Sequence, residues 1–472
     1  MRLEEGLRPA LLVAALVPGP GVAAAGWADP ATSPGRLEGR PPASQASPLQ
    51  ARIDAAPAGA TVQVGPGRYE GDLVIDRPLR LVGRGRPLLV GSGAGSVVRV
   101  RADDVTVEGF EIDGRRGGDL GRDSSGIHVS GARVRIQDCG IREALFGVYL
   151  REAPGARVER CRIRGIPGKD PGEKGSGIHA WNTVGFGFAG NEITGVRDGL
   201  YIQSSSKGTI VGNVVRDVRY GLHYMYSDDN TFEDNLFENA DAGTALMYSR
   251  RIVFRRNRFL HNRGFASVGL LFKNCDDVVA EHNLIADNAR GIFLEGSYRN
   301  LFRGNVVAES DAAIVLYDSC GGNRFAGNSF VGNMTPLALV GRRTDTVFEG
   351  NYWSENREPD LDGDGRSDRP YRLSSVFDHF RGNLTAADLM SDGFAAAALG
   401  AAETAFPVLQ PVAVVDTSPR VRPPLLPEVP RARAAGGSVY ARGLLAAATS
   451  LALGGAVLAW GQKGARGRGK RS

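Results

Sequence analysis

Short alternations of apolar and polar residues repeat along the middle of the chain. In successive repeats, a five-residue alternation begins at a glycine or alanine: GLYIQ, GLHYM, GTALM, GIFLE and AAIVL. A period of two is the side-chain period of a β-strand. Segments this short, bounded by Gly, Asn and Asp, are typical of strands rather than helices. The pattern therefore predicts an all-β region built from many short strands.

These strands recur at a nearly constant interval. A second series of apolar positions lies two residues after asparagines that are spaced by 22, 22, 22, 26, 22, 23 and 23 residues. The asparagines are Asn191, Asn213, Asn235, Asn257, Asn283, Asn305, Asn328 and Asn351. No helical segment fits between them, so each repeat is predicted to be one coil of a right-handed parallel β-helix, of the pectate-lyase-like kind, over residues 45–380. Stacked coils would place the asparagines in an internal ladder.

The four cysteines fit the same coils. Cys139 and Cys161 are 22 residues apart and occupy the asparagine position of two earlier coils. Cys275 and Cys320 fall in a different column, which otherwise holds serine and threonine, and they are separated by two coils. That separation is too large for a disulfide, and no CxxC spacing is present. We therefore expect structural roles for all four.

The segments outside the coils predict export and membrane attachment. Residues 1–28 contain an apolar stretch followed by small residues, which is typical of a signal peptide. After the coils we predict a short helical segment at 381–406 and an extended proline-rich linker at 407–437. Residues 443–460 are uncharged and near the lower length limit of a transmembrane helix, so the basic tail 461–472 is predicted to be cytoplasmic.

The charge balance argues against a nucleic-acid partner. The chain has 57 basic and 52 acidic residues, and its last twelve residues carry five basic and no acidic side chains. Without that tail the chain is neutral. The high isoelectric point therefore comes from the tail and not from a basic binding surface.

One outward column of the coils is rich in aromatic and histidine residues. Because alternate residues of a strand point to opposite sides, Leu222 and Tyr224 are predicted to face the core while His223 and Met225 face away from it. The position of His223 holds rings in four earlier coils. We predict that these rings form a binding face: His128, Tyr149, His179 and Tyr201.

His223, Met225 and Met247 form a candidate copper site. His223 and Met225 share one strand face, and Met247 lies one coil away from Met225. Imidazole and thioether ligands together select Cu(I) over hard cations. The alternative is a groove covered by a loop or a partner protein, because methionines and rings are also common at interfaces.

The segment DLDGDGRSD forms a candidate calcium loop. Asp360, Asp362 and Asp364 stand at positions one, three and five, and Asp368 stands at position nine. This is the oxygen-rich spacing of a calcium site, although Tyr371 occupies position twelve, where a bidentate glutamate is usual. The alternative is a turn that closes the coils without a metal.

Two segments together resemble a known family. GLHYMYSDDNTFEDN and NYWSENREPDLDGDGRSDRPYR are similar to segments of NosD, the periplasmic accessory proteins of nitrous oxide reductase maturation, and the likeness covers about residues 45–430. It implies a role in supplying copper to nitrous oxide reductase. The implied partners are an ABC-type ATPase and permease, a copper-chaperone lipoprotein and the reductase. Together with the C-terminal helix, it implies a periplasmic protein anchored in the inner membrane.

A polysaccharide lyase, hydrolase or epimerase on the same fold is the alternative function. Such chemistry needs paired acids, or a metal with a basic residue, that converge on one groove. The outward columns contain mainly rings, thioethers and aliphatic residues, with Lys273 and Glu295 as a neighbouring charged pair. Because this pair supplies no second acid, the residues favour a protein that is not an enzyme.

Overall fold

The computed structural model describes most of the predicted coil region and one short downstream segment: residues 47–263, 267–341, 343–373 and 414–424. The predicted signal peptide, helical segment, membrane helix and basic tail lie outside the described residues. Within the described ranges, no helix is long and apolar enough to cross a membrane.

The chain divides into two compact units. Of the described residues, those up to Asn235 and Ala245–Val253 form the first unit, and Leu236–Thr244 with those from Phe254 onward form the second. In each unit the coils contribute short strands to three sheets, which we call the first, second and third sheet in the order in which a coil enters them. The sequence pattern predicts only two strands in each coil, and the structure adds a third, a three-residue strand that ends two residues before each asparagine.

The first unit begins with an α-helix, Pro48–Ala55. Gln50 of this helix exchanges hydrogen bonds with both backbone groups of Val74, at 2.9 and 2.8 Å. The helix thereby satisfies an edge of the first coils. Two 3₁₀ turns, Leu120–Arg122 and Pro171–Glu173, lie in longer loops of this unit.

The strands of the first unit follow one another along each sheet in chain order. Its first sheet contains Thr61–Val64, Arg80–Gly83, Thr106–Glu108, Arg135–Gln137, Arg157–Glu159, Gly187–Ala189, Thr209–Val211 and Thr231–Glu233. Its second sheet contains Arg68–Glu70, Leu88–Val90, Glu111–Asp113, Gly140–Arg142, Arg162–Arg164, Glu192–Thr194 and Val214–Arg216. Its third sheet contains Leu73–Ile75, Val98–Val100, Ser125–Val129, Phe146–Arg151, Ile178–Trp181, Asp198–Gln203 and Tyr220–Met225.

The strands of the second unit are likewise arranged in three sheets. Its first sheet contains Val279–Glu281, Leu301–Arg303, Arg324–Ala326, Val347–Glu349, Val415–Asp416 and Tyr371–Arg372. Its second sheet contains Leu236–Glu238, Arg258–Leu260, Leu284–Ala286, Val306–Ala308, Ser329–Val331 and Tyr352–Trp353. Its third sheet contains Leu270–Asp276, Arg290–Glu295, Ala312–Tyr317 and Thr335–Val340. Two further strands, Ala242–Arg250 and Val253–Arg255, contain residues of both units.

Successive coils pair in parallel with equivalent residues side by side. In the third sheet Leu200 pairs with Leu222, and Tyr201 pairs with His223. Both intervals are 22 residues, so the predicted coil length is confirmed. Leu222 and Tyr224 are fully buried, which also confirms their predicted place in the core.

The asparagine ladder is confirmed within each unit. In the first, the backbone N–H and the side-chain amide of Asn213 both donate to Oδ1 of Asn235, at 2.9 Å each, while Asn191 bonds in the same way to Asn213. The buried Asn213 amide also donates to the carbonyl of Phe188 at 3.0 Å. In the second unit the same pattern links Asn283, Asn305, Asn328 and Asn351. These bonds satisfy polar groups that would be costly to bury unpaired.

Asp416 is the final member of the ladder in the second unit. Its buried Oδ2 accepts hydrogen bonds from the backbone and side-chain nitrogens of Asn351, at 3.0 and 2.8 Å, and from Nε1 of Trp353 at 3.1 Å. This aspartate lies within the segment 407–437, whose prolines predict an extended linker. Residues 414–424 instead pack against the last coil and satisfy its open hydrogen-bonding groups.

The cysteines take the structural positions that were predicted for them. All four are buried, and none forms a disulfide. The backbone N–H of Cys161 donates to Asn191 Oδ1 at 2.9 Å, so this cysteine lies directly next to the ladder. The thiols of Cys139 and Cys161 donate to backbone carbonyls of Gln137 and Glu159, at 3.3 and 3.4 Å.

Candidate functional site

The third sheet of the first unit carries a continuous column of rings. In-register pairing places one ring on each of five successive coils: His128, Tyr149, His179, Tyr201 and His223. The centroids of neighbouring rings are 5.4, 4.4, 4.3 and 4.5 Å apart along this order. The first three contacts are stacked and the last is edge-on. We call these five residues the ring column.

The ring column is largely buried. The exposed fraction is 3% for Tyr149 and 6% for His179. Tyr149 packs in a buried cluster with Ile166, and Leu120 packs against that cluster. Both aliphatic residues come from loops that lengthen their coils, so loops of the protein itself cover the ring of Tyr149. Little of these rings is exposed, and the binding face stays a prediction.

Two histidines of the ring column are held neutral by their surroundings. Neither ring nitrogen of His179 has a hydrogen-bond partner among the described residues. Burial, followed by the positive charge of Arg197, lowers the pKa of His179 to about 3. Burial, followed by the charge of Arg99, lowers the pKa of His128 to about 4. Both rings act as aromatic packing residues at neutral pH.

His223 ends the ring column and contacts a buried carboxylate. Its Nδ1 is 3.2 Å from Oδ2 of Asp198, and His223 is only 4% exposed. Two tyrosine rings contact it edge-on, Tyr201 at 4.5 Å and Tyr220 at 5.3 Å between centroids. The imidazole is thus held on several sides.

Asp198 is fully buried and surrounded by cationic side chains. Arg219 donates to its two oxygens at 2.9 and 2.7 Å, and Nε of Arg197 lies 3.4 Å from Oδ2. Burial alone would raise the pKa of this carboxyl, but hydrogen bonds from His223 and Arg219 outweigh that effect and hold the pKa well below its usual range. Sequence reasoning missed Asp198. The signal available in the sequence was an acidic residue at the first position of a predicted strand. In the structure, Asp198 pairs in register with Tyr220 of the next strand.

The structure brings the predicted copper residues onto neighbouring coils. His223 and Met225 belong to the strand Tyr220–Met225 and are two residues apart, which places them on one side of the strand. The backbone N–H of Tyr226 donates to the carbonyl of Met247 at 3.3 Å, so the coil of Met247 lies next to that of Met225. Met225 is half-buried and Met247 is buried. One imidazole and two thioether side chains therefore belong to two adjacent coils of the first unit, and the copper site stays a prediction.

Comparison with known proteins places the chain in a family. A sequence model of the family described as "Periplasmic copper-binding protein (NosD)" matches residues 158–359. A relative from Pseudomonas aeruginosa, named "Probable ABC transporter binding protein NosD", is 35% identical, and the match covers 76% of this chain and 87% of the relative. A protein of the same name from Stutzerimonas stutzeri is 31% identical, over 76% of this chain and 86% of the relative. The chain belongs to the NosD family.

Among solved structures, the A-module of the Azotobacter vinelandii mannuronan C-5 epimerase AlgE4 is similar in fold. It superposes with a TM-score of 0.53 at 16% identity, over 63% of this chain and 94% of that module. At this identity the likeness shows the fold alone. It confirms the predicted parallel β-helical fold for this NosD family member.

The turn that follows the candidate copper residues is held by ion pairs between coils. Asp228 accepts from Nε of Arg250 at 3.0 Å, and Asp229 accepts from Nε of Arg251 at 2.6 Å. These acids therefore have structural partners. The exposed ring of Tyr226 stacks on another exposed tyrosine ring at 5.2 Å.

Three of the four predicted calcium ligands lie together. Carboxylate oxygens of Asp360, Asp362 and Asp368 all lie within 4.8 Å of one another, and Asp364 is not part of this group. Asp360 accepts hydrogen bonds from the backbone N–H of Gly363 and Gly365 at 2.7 and 3.0 Å. The acids could hold a cation, and the calcium site stays a prediction.

Proposed function

We propose that the protein is a periplasmic accessory factor that helps to supply copper to the metal centres of nitrous oxide reductase. The observation that carries this proposal is the 35% identity to a NosD relative across most of both chains. The matching family model is named for periplasmic copper binding, and the relatives are named for binding an ABC transporter. The proposed partners are an ABC-type ATPase and permease, a copper-chaperone lipoprotein and the reductase.

His223, Met225 and Met247 are the proposed copper-handling residues. Copper is the cargo of this protein and not a resident cofactor, so it must both enter and leave. An imidazole and two thioethers are soft donors that suit Cu(I). Burial of Met247 and His223 would exclude water from the ion, while the half-buried Met225 gives access from the surface. The donor set therefore fits a transfer site.

The proposed location follows from the same comparisons and from the chain termini. A protein that delivers copper to an exported reductase has to be exported itself, which agrees with the predicted signal peptide at 1–28. The predicted membrane helix at 443–460, followed by a basic tail, would hold the β-helical body at the outer face of the inner membrane. Anchoring beside a permease would raise the effective concentration of the body at its partner.

Deletion of the gene tests this function. In the deletion strain we expect nitrous oxide reductase to be synthesised and exported but to contain little copper. Purified reductase from wild-type and deletion strains would be compared for copper per polypeptide. Reductase that is fully metallated in the deletion strain would contradict the proposal.

The alternative of a polysaccharide-active enzyme has only the fold in its favour. The likeness to the epimerase module is at 16% identity. On the third sheet of the second unit, Nζ of Lys273 pairs with Oε1 of Glu295 at 2.9 Å, so this acid is neutralised by its neighbour. We expect no change in uronate or neutral polysaccharides after incubation with the protein. Release of unsaturated or shortened products would favour the enzyme instead.

A further inference from the structure

The contact between Asp198 and His223 has the form of an outer-shell interaction of a metal ligand. A carboxylate that bonds to one nitrogen of a ligating histidine fixes which nitrogen carries the proton and how the ring is oriented. Asp198 is nine-tenths or more buried and reaches Nδ1 at 3.2 Å from the preceding coil. It lies 25 residues before His223 in sequence, so only the stacking of coils brings them together.

The proton arrangement at this contact follows from the chemistry of the carboxylate. Two guanidinium groups, those of Arg219 and Arg197, lie within 3.4 Å of the Asp198 oxygens and favour the ionised form. An ionised carboxylate can only accept hydrogen bonds. Nδ1 of His223 must therefore donate, and a neutral ring then has its lone pair on Nε2. Nε2 is the nitrogen that can coordinate a metal.

The ring is also prevented from turning over. Tyr201 and Tyr220 contact it at interplanar angles of 72° and 76°, so each tyrosine ring lies nearly perpendicular to the imidazole. A ring flip would break the bond to Asp198 and leave a buried carboxylate oxygen with one partner fewer. The same strand carries Met225, whose side chain projects from the same side as the imidazole.

We propose that Asp198 is a positioning residue that holds His223 in the tautomer and orientation needed to bind Cu(I) together with Met225 and Met247. This inference rests on the copper-handling role proposed above. It adds to that role a residue that never touches the ion. Loss of an outer-shell partner of a ligating histidine typically costs about 10–100-fold in metal affinity.

The first test is Cu(I) titration of the full-length protein against a chromophoric Cu(I) chelator. We expect Asp198→Asn to weaken binding by about 10–100-fold. The matched control is Asp138→Asn, because Asp138 forms an exposed pair with Arg160 at 2.8 Å, away from the ring column. This control should bind as the wild type does.

The titration separates failure of the inference from failure of the proposed function. If the wild type does not bind Cu(I), the copper site itself is wrong and the role of Asp198 falls with it. If Met225→Leu/Met247→Leu weakens binding but Asp198→Asn binds like the wild type, the copper site stands and the positioning role is overturned. If Met225→Leu/Met247→Leu and Asp198→Asn both weaken Cu(I) binding, the copper site and the positioning role of Asp198 are both supported.

The second test reads the tautomer directly and needs no altered carboxylate. Nitrogen chemical shifts of ¹⁵N-histidine in the metal-free wild type distinguish a proton on Nδ1 from one on Nε2. The signals of His223 are assigned by their loss in His223→Gln. We expect the Nδ1–H form in the wild type, and its loss in Asp198→Asn if that variant folds. The Nε2–H form in the wild type would overturn the inference even if Asp198→Asn does not fold.

Discussion

Replacement of His179 by phenylalanine should stabilise the protein, and the stabilisation should be larger at acidic pH. His179 lies between Tyr149 and Tyr201, with centroid distances of 4.4 and 4.3 Å. Phenylalanine can keep both stacked contacts. It also removes two buried nitrogens that have no hydrogen-bond partner among the described residues. Removing an unsatisfied buried group is expected to raise the free energy of unfolding by about 1–3 kcal/mol at pH 7.

The dependence on pH follows from the pKa of His179. Burial lowers this pKa from 6.5 to about 3, so between these values the unfolded chain binds a proton that the folded protein does not. Stability is therefore lost as pH falls below 6.5, by about 1.4 kcal/mol per pH unit, and the loss stops only near the folded pKa. Between pH 7 and pH 5 the cost is about 2 kcal/mol. His179→Phe removes this cost, while the similar effect of His128 remains in both proteins and cancels.

Urea unfolding of the wild type and of His179→Phe at both pH values measures the effect. The free energy of unfolding of His179→Phe should exceed that of the wild type, and this difference should increase by about 2 kcal/mol from pH 7 to pH 5. Because His282 is exposed, His282→Asn serves as a substitution control and should leave the free energy of unfolding at pH 7 nearly unchanged. A difference in free energy of unfolding that is the same at both pH values, or a variant less stable than the wild type at pH 7, would refute the destabilising role of buried His179.

Three further predictions concern the ladder, its end and the acidic loop. Asn213→Ala should lower the free energy of unfolding by about 2–4 kcal/mol in urea, because buried amide groups of Asn191 lose their acceptor. Asp416→Ala should lower the free energy of unfolding by about 2–4 kcal/mol, because three buried donors lose the oxygen that accepts their hydrogen bonds. The control Asp170→Ala, on an exposed loop, should have little effect on the free energy of unfolding. Addition of about 1 mM Ca²⁺ should raise the Tm of the wild type but not of Asp362→Asn; an unchanged wild-type Tm would leave the acids as a metal-free turn.

The repeating part of the fold could be predicted because stacking converts sequence period into structure. Each coil must present the same residue type to the coil beside it, so the asparagines recur visibly and their hydrogen bonds follow. The same logic identified Leu222 and Tyr224 as core residues. It also identified Cys139 and Cys161 as members of the ladder region.

Features that depend on single, non-repeating contacts could not be predicted. The loop residues Leu120 and Ile166 are isolated apolar side chains within polar segments, and nothing periodic in the sequence shows that they pack in the cluster of Tyr149. Asp416 lies 65 residues beyond Asn351, its hydrogen-bond partner, in a segment whose prolines favour a linker. Asp198 has no motif around it, and its importance appears only when the preceding coil brings it against His223.

Copper in nitrous oxide reductase, isolated from a deletion strain that is complemented with defined variants, tests the central claim most directly. The wild-type gene should restore the full copper content of the reductase. Met225→Leu/Met247→Leu, confirmed to be exported and folded at the wild-type level, should leave the reductase copper-deficient. Full copper content with this double variant would contradict the assignment of these residues as the transfer site, and full copper content without any complementation would contradict the maturation role itself.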